Sequence, residues 1–152
     1  MALEAGSGYG DPPMEMPAEI RRAIVAHASF CLPDEACGLL AADDRGRLRM
    51  AYCLSNSASS PAAYTLDPGE HFRALRHAES RGWRLAGVFH SHPGGAAYPS
   101  LTDIAQALEP DWLYVVVGLA GGSDSDVRSF WIRGGEVLEE DLIDEVAGEV
   151  SG

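Results

Sequence analysis

The stretch Val88-Phe-His-Ser-His-Pro-Gly-Gly-Ala-Ala-Tyr-Pro-Ser-Leu-Thr-Asp103 decides how the rest of the chain is read. An apolar run ends in His90 and His92, and on a strand residues two apart leave the same face. Their Cα atoms then lie about 6.5–7 Å apart, so both imidazoles can converge on one metal ion at bonds of roughly 2.0–2.1 Å. Ser91, between them, points to the other face. Past the Pro/Gly/Ala connection, Ser100 to Leu108 follows a helical pattern that carries Asp103 one turn in, where its carboxylate can face back to the strand end.

Each half also has a local explanation. A His-x-His on a strand describes a partly buried polar pair as well as a ligand pair, and Ser100 with Asp103 describes a capping box. Together the halves supply two neutral nitrogens and one carboxylate, which with a water complete the open tetrahedral set of catalytic zinc. The same donors would accept iron or cobalt.

The order His90-x-His92, seven residues, Ser100, two residues, Asp103 resembles the signature of the JAMM (MPN/JAB) zinc metalloproteases, with no position missing. Pro33-Asp-Glu35-Ala-Cys-Gly-Leu-Leu40 matches that family's upstream glutamate element. Asn56 with the Pro61 to Glu70 segment, and Ala97 to Asp103, look like the prokaryotic branch that cuts adducts from the C-terminus of sulfur-carrier proteins. The resemblance runs from about Met16 to about Glu140.

What the resemblance implies is specific. The fold would be a single α/β domain, a curved mixed β-sheet flanked by helices of the JAMM/MPN, cytidine-deaminase-like kind. One Zn²⁺ per subunit would be held by His90, His92 and Asp103. Glu35 would act as general base and then general acid, and Ser100 would donate to the developing oxyanion. The substrate would be a ubiquitin-like β-grasp sulfur carrier with a Gly-Gly tail, cut after that tail to release cysteine or a short extension. Read alone, Glu35 is an acid at a surface turn. The short segment from Pro93 to Pro99, with Gly94, Gly95, Ala96 and Ala97, suits a slim tail better than a broad ubiquitin grip, and it also suits a tight turn.

Composition narrows the field. At 152 residues and 46% hydrophobic content, the chain fits one domain with a sizeable core. A formal net charge of −12 argues against tracking a nucleic-acid backbone or an anionic membrane. Cys31, Cys37 and Cys53 form no Cys-x-x-Cys pair, so all three read as buried thiols in a reducing cytoplasm, with Cys37 close to Glu35. Residues 1–13 read as a flexible tail without a secretory pattern, and 14–152 as the domain. The apolar run Leu113 to Ala120 is too short to span a bilayer.

Periodicity fills in the remaining elements. A helix is expected from Pro17 to Cys31, with His27 as a hydrogen-bonded structural residue. Strands follow at Ala36–Ala42, Leu48–Leu54 and Ala63–Leu66. A helix capped by Asp67 runs to about Ser80, with His71 and His77 on its surface. Strands at Leu85–His92, Asp111–Leu119, Val127–Ile132 and near Val137 complete the sheet, and Glu139 to Val150 reads as a terminal helix or a frayed tail. Trp83, Trp112 and Trp131 read as core and edge packing.

Three other functions compete with the peptidase. A catalytically dead MPN-type scaffold would be expected to lack ligands, and none is missing. A DNA-associated JAB-type protein conflicts with the charge. A zinc deaminase requires a Pro-Cys-x-x-Cys beside its His-x-Glu, and no Pro-Cys-x-x-Cys occurs in the sequence.

Overall fold

The computed structural model describes residues 14–121 and 125–144. In chain order the elements are β1 (Glu15–Met16), α1 (Ala18–Phe30), β2 (Cys37–Ala42), β3 (Leu48–Leu54), α2 (Pro68–Ser80), β4 (Arg84–His92), α3 (Leu101–Gln106), β5 (Leu113–Gly118), β6 (Asp126–Arg133), β7 (Glu136–Glu140) and β8 (Ile143–Asp144). Six strands form one mixed sheet in the order β3-β2-β4-β5-β6-β7, and β1 pairs with β8 in a small parallel pair. The expected α/β fold, a mixed sheet flanked by helices, is the one found.

Only β4 and β5 are parallel neighbours in the large sheet, joined across α3. The other pairings are antiparallel. A parallel step needs a crossover connection, and here that crossover contains the Pro93–Ser100 loop and α3. The His90/His92 end of β4 and the Asp103 helix are therefore consecutive in chain and adjacent in space.

Helix α1 covers one face of the sheet with Ile20, Ile24 and Ala28, packed in a cluster that includes Leu40, Phe89, Val115 and Trp131. The opposite face gathers Leu39, Val88, Tyr114, Val116, Phe130 and Ile132 beneath Ala74 of α2, with Ile104 of α3 packed alongside. All six residues of β5 are buried because both faces are covered. Helix α2 starts as its sequence dictates: the Asp67 side chain accepts from Glu70 N, and Pro68 occupies the first position.

The register on β2 shifts between Leu40 and Ala41, so Ala86 of β4 is the extra residue of a bulge. Beyond it, Val88, His90 and His92 share the α2/α3 face, while Phe89 and Ser91 face α1. Gly38 is required here, since a Cβ would stand 2.1 Å from Tyr52 O and 2.4 Å from the Phe89 ring.

Several expectations need correction. Ala63–Leu66 is not a strand: Ala63 O and Thr65 N are taken by the Asn56 side chain, leaving a single bridge between Asn56 and Leu66. The Ser100 helix stops at Gln106, two residues short, where Ala107 turns extended at φ −80° and ψ 98°. Glu139 and Glu140 extend β7 because Arg128 and the Trp131 indole of β6 hold their carboxylates, and residues 143–144 form β8. The rest of the acidic segment, like the 1–13 tail, lies outside the described residues.

Of the three thiols only Cys37 is buried. Cys53 is exposed on the edge strand β3, and Cys31 is half-buried at the end of α1. His27 is the structural histidine expected, its Nε2 3.0 Å from Leu54 O. His77 is exposed and His71 half-buried. No helix among the described residues is long and apolar enough to cross a membrane.

Candidate metal centre

His90 and His92 project from the last turn of the pleat on β4, and Asp103 comes to meet them from the third position of α3. One oxygen, Asp103 Oδ2, lies 3.0 Å from His90 Nε2 and 3.1 Å from His92 Nε2, and the two nitrogens are 3.2 Å apart. These three atoms form a nearly equilateral triangle. Tetrahedral ligands at roughly 2.0–2.1 Å from a shared ion stand about 3.3–3.4 Å from one another, so the observed edges match a set closed around one small cation. Among the described residues this is the group of His, Cys, Asp and Glu side chains able to hold a metal ion.

Proton positions favour the same interpretation. His92 Nδ1 is 2.9 Å from Ala96 O, and a carbonyl can only accept, so Nδ1 carries the hydrogen. In the neutral ring Nε2 then presents a lone pair to a carboxylate oxygen, and a cation between them would turn that repulsion into two bonds. The second-nitrogen contact to a carbonyl is the usual way a ligating imidazole is oriented. Without an ion, the hydrogen bond to the Asp103 carboxylate draws the His92 pKa upward. Burial alone would raise Asp103, yet contacts with His90 and His92 hold its carboxyl well below the usual carboxylate range.

Ser100 and Asp103 do form the capping box: Ser100 N donates to Asp103 Oδ2 at 2.8 Å, and Asp103 N donates to Ser100 Oγ at 3.1 Å. The cap and the His90–His92–Asp103 triangle are one construction, since the same Oδ2 serves both. Because Ser100 Oγ accepts from the helix, its own O–H remains available to donate, and the residue lines an open cleft of about 350 Å³.

Glu35 and His92 line that cleft too, with Pro61, Ala62, Pro93, Gly94 and Gly95. Glu35 is 5% exposed, and among the described residues its Oε1 is buried without a hydrogen-bond partner. Burial pushes its pKa up to about 7, partly offset by His92. An unpartnered carboxylate oxygen beside three converging metal donors is suited to hold a water or a proton in transit. Its neighbour Ala36 is tied to β4 by reciprocal bonds, Ala36 N to Ser91 Oγ at 2.8 Å and Ser91 N to Ala36 O at 3.0 Å. Ser91, facing away from His90 and His92, thereby registers Glu35 against them.

Cys37 stands opposite His90 in the ladder but donates to Ser55 O at 3.4 Å, with its thiol pushed up to about 12 by burial. It stays a thiol and is not among the converging donors.

Two contributors escape sequence reasoning. Tyr64 lies flat on the His90 ring, 4.7 Å between centroids with 21° between planes; a lone aromatic in a loop carries no signal of this. Gly118 ends the β5 run, and a Cβ there would stand 2.6 Å from Ala97 N and 2.8 Å from Ala96 C. Its smallness lets the 95–97 backbone bring Ala96 O to His92.

Residues 17–133 match the family described as prokaryotic homologs of the JAB domain. The chain belongs to that family. It is 37% identical to a CysO-cysteine peptidase of Mycobacterium tuberculosis over 141 residues, covering 92% of this chain and 94% of the relative. A desampylase of Haloferax volcanii is 37% identical over 109 residues, 68% of this chain and 78% of that one. The solution structure of a Desulfitobacterium hafniense protein, 34% identical, superposes with a TM-score of 0.79 over 86% of this chain and 92% of that chain. With peptidase relatives matched over most of its length, this chain is a hydrolase of the metallopeptidase class.

Proposed function

We propose that the chain hydrolyses the bond following the C-terminal Gly-Gly of a ubiquitin-like β-grasp sulfur carrier, releasing cysteine or a short extension. The observation that carries the reading is the junction of the His90–His92–Asp103 triangle, the unpartnered Glu35 Oε1 and a cleft walled by small residues. Peptidase relatives named for CysO-cysteine and for desampylation support a carrier of this class.

His90, His92 and Asp103 hold the metal in this reading, one Zn²⁺ per subunit. When bound, the ion supplies Lewis acidity, polarising a carbonyl and acidifying water at the site. Glu35 takes the proton from the attacking water as the new C–O bond forms at the glycine carbonyl carbon. Ser100 donates its O–H to the oxygen that becomes negative, a contact whose loss typically costs on the order of 10²–10³ in rate. As the C–N bond breaks, Glu35 passes the same proton to the departing amine, leaving a free carboxyl on the carrier and a free amino group on the cysteine.

Gly94, Gly95 and Ala62 at the cleft admit a tail without side chains and leave little to grip a bulky one. The test is intact mass of candidate carriers bearing a C-terminal cysteine, incubated with zinc-loaded wild type and Glu35→Gln. Loss of the cysteine mass with wild type alone is expected. Cutting of unrelated peptides alongside untouched carrier adducts would overturn the substrate.

A further inference from the structure

We infer that Asn56 is the positioning residue of Glu35, an inference that rests on the reading in which Glu35 moves the proton. Glu35 precedes β2, outside the sheet ladder, and its Oε1 has no partner to orient it. The carboxyl must therefore inherit its place from the main chain, where Ser91 holds the neighbouring Ala36 and one loop holds the N–H and C=O of Glu35 itself.

Asn56 Nδ2 donates to Glu35 O at 3.0 Å and to Ala63 O at 2.9 Å, with a longer contact to Ser60 O at 3.4 Å. Its Oδ1 accepts from Ala58 N at 3.0 Å and Thr65 N at 3.1 Å. Both hydrogens and both lone pairs of the amide are committed. From the other side, Glu35 N donates to Ser60 O at 2.9 Å. The N–H and the C=O of Glu35 thus end on the same loop, one through Ser60 and one through Asn56.

The loop itself is stiffened where it would otherwise yield. Ser55 N and Oγ are fixed to the Glu70 carboxylate of α2 at 2.9 and 3.0 Å. Ser59 is held in the left-handed region at φ 49°, unusual for a residue with a side chain, with its N–H on Asn56 O. Beyond this clamp the loop delivers Pro61 and Ala62 to the cleft wall and Tyr64 to the face of His90. One side chain therefore sets the proton carrier, part of the tail's path and the support of a metal donor in a common frame. A carboxylate is the isosteric failure of this device, since Asn56→Asp would aim an anion at three carbonyl oxygens.

The experiment compares zinc-loaded wild type, Asn56→Asp, Glu35→Gln and the double variant on a carrier–cysteine adduct, with amide hydrogen exchange on each. Asn56→Asp is expected to keep its zinc and lose about 10²-fold in kcat, the scale of a misplaced catalytic group, with KM moving less than about threefold. The double variant should fall well short of the product of the two single losses, because the main part of the Asn56 effect passes through Glu35. Wild-type kcat in Asn56→Asp, or losses that multiply in the double variant, would overturn the inference.

If wild type cuts no adduct, the peptidase substrate fails while exchange still decides the positioning. Faster exchange at the Glu35 amide, with Val115 and Val116 of β5 unchanged, supports it; an unchanged Glu35 amide, or equal loss at all three, overturns it. Should Asn56→Asp not fold, Asn56→Ser, which keeps one donor and one acceptor, is judged by the same outcomes.

Discussion

His92 is oriented by a carbonyl of its own loop: Nδ1 meets Ala96 O at 2.9 Å, which leaves Nε2 facing His90 and Asp103. That carbonyl is where it is because Gly118 lets the loop lie against the end of β5, with Leu119 N on His92 O and Ala120 N on Gly95 O.

Gly118→Ala should therefore weaken metal binding without touching a ligand. Its new Cβ must push Ala96 and Ala97 outward, releasing His92 Nδ1. Loss of such an outer partner typically costs about 10–100-fold in metal affinity. Competition against a chromophoric chelator measures it; wild-type affinity in Gly118→Ala would remove the Ala96 carbonyl from the account.

Tyr64 offers a second, graded test. Its ring, not its hydroxyl, covers His90, so Tyr64→Phe should bind zinc as wild type does. Tyr64→Ala frees one face of the imidazole and is expected to cost about tenfold in affinity, at the low end of the outer-partner range. Equal losses in both variants would point to the hydroxyl instead.

The metal-free protein should show the burial of Glu35 in its pH dependence. In the folded chain the carboxyl holds its proton up to about 7, against an ordinary value of 4.5. Between those values the folded state binds more protons than the unfolded one, so wild-type stability falls as pH rises from about 4.5 through 7. Glu35→Gln has no such proton to lose, and its advantage should grow across that window to on the order of 1–3 kcal/mol. Melting temperatures of both metal-free proteins from pH 4 to pH 8 test the sign; parallel curves would contradict it.

What the sequence made legible follows from which interactions are local. The same-face placement of His90 and His92 needs only the period of a strand, and the Asp103 helix announces itself through Ser100 and the acid three residues on. The alternation between strand and helix patterns was enough for α1, α2 and most of the sheet. Ala63–Leu66 reads as a strand because its residues suit one; what prevents it is an amide nine residues away, Asn56 on Thr65. The Tyr64–His90 stack, the Gly118 contact and the burial of Glu35 likewise depend on segments brought together only by the fold. Glu139 and Glu140 look like a solvated tail until Arg128 and Trp131 of the neighbouring strand claim them.

The central claim is that His90, His92 and Asp103 form a metal site while Glu35 stands beside it without ligating. Metal analysis of purified wild type, His92→Ala and Glu35→Gln after exhaustive dialysis against zinc-buffered solution tests it most directly. About one zinc per chain in wild type and in Glu35→Gln, with His92→Ala largely empty, is the expected result. Full occupancy in His92→Ala, or loss of the metal in Glu35→Gln, would contradict the account.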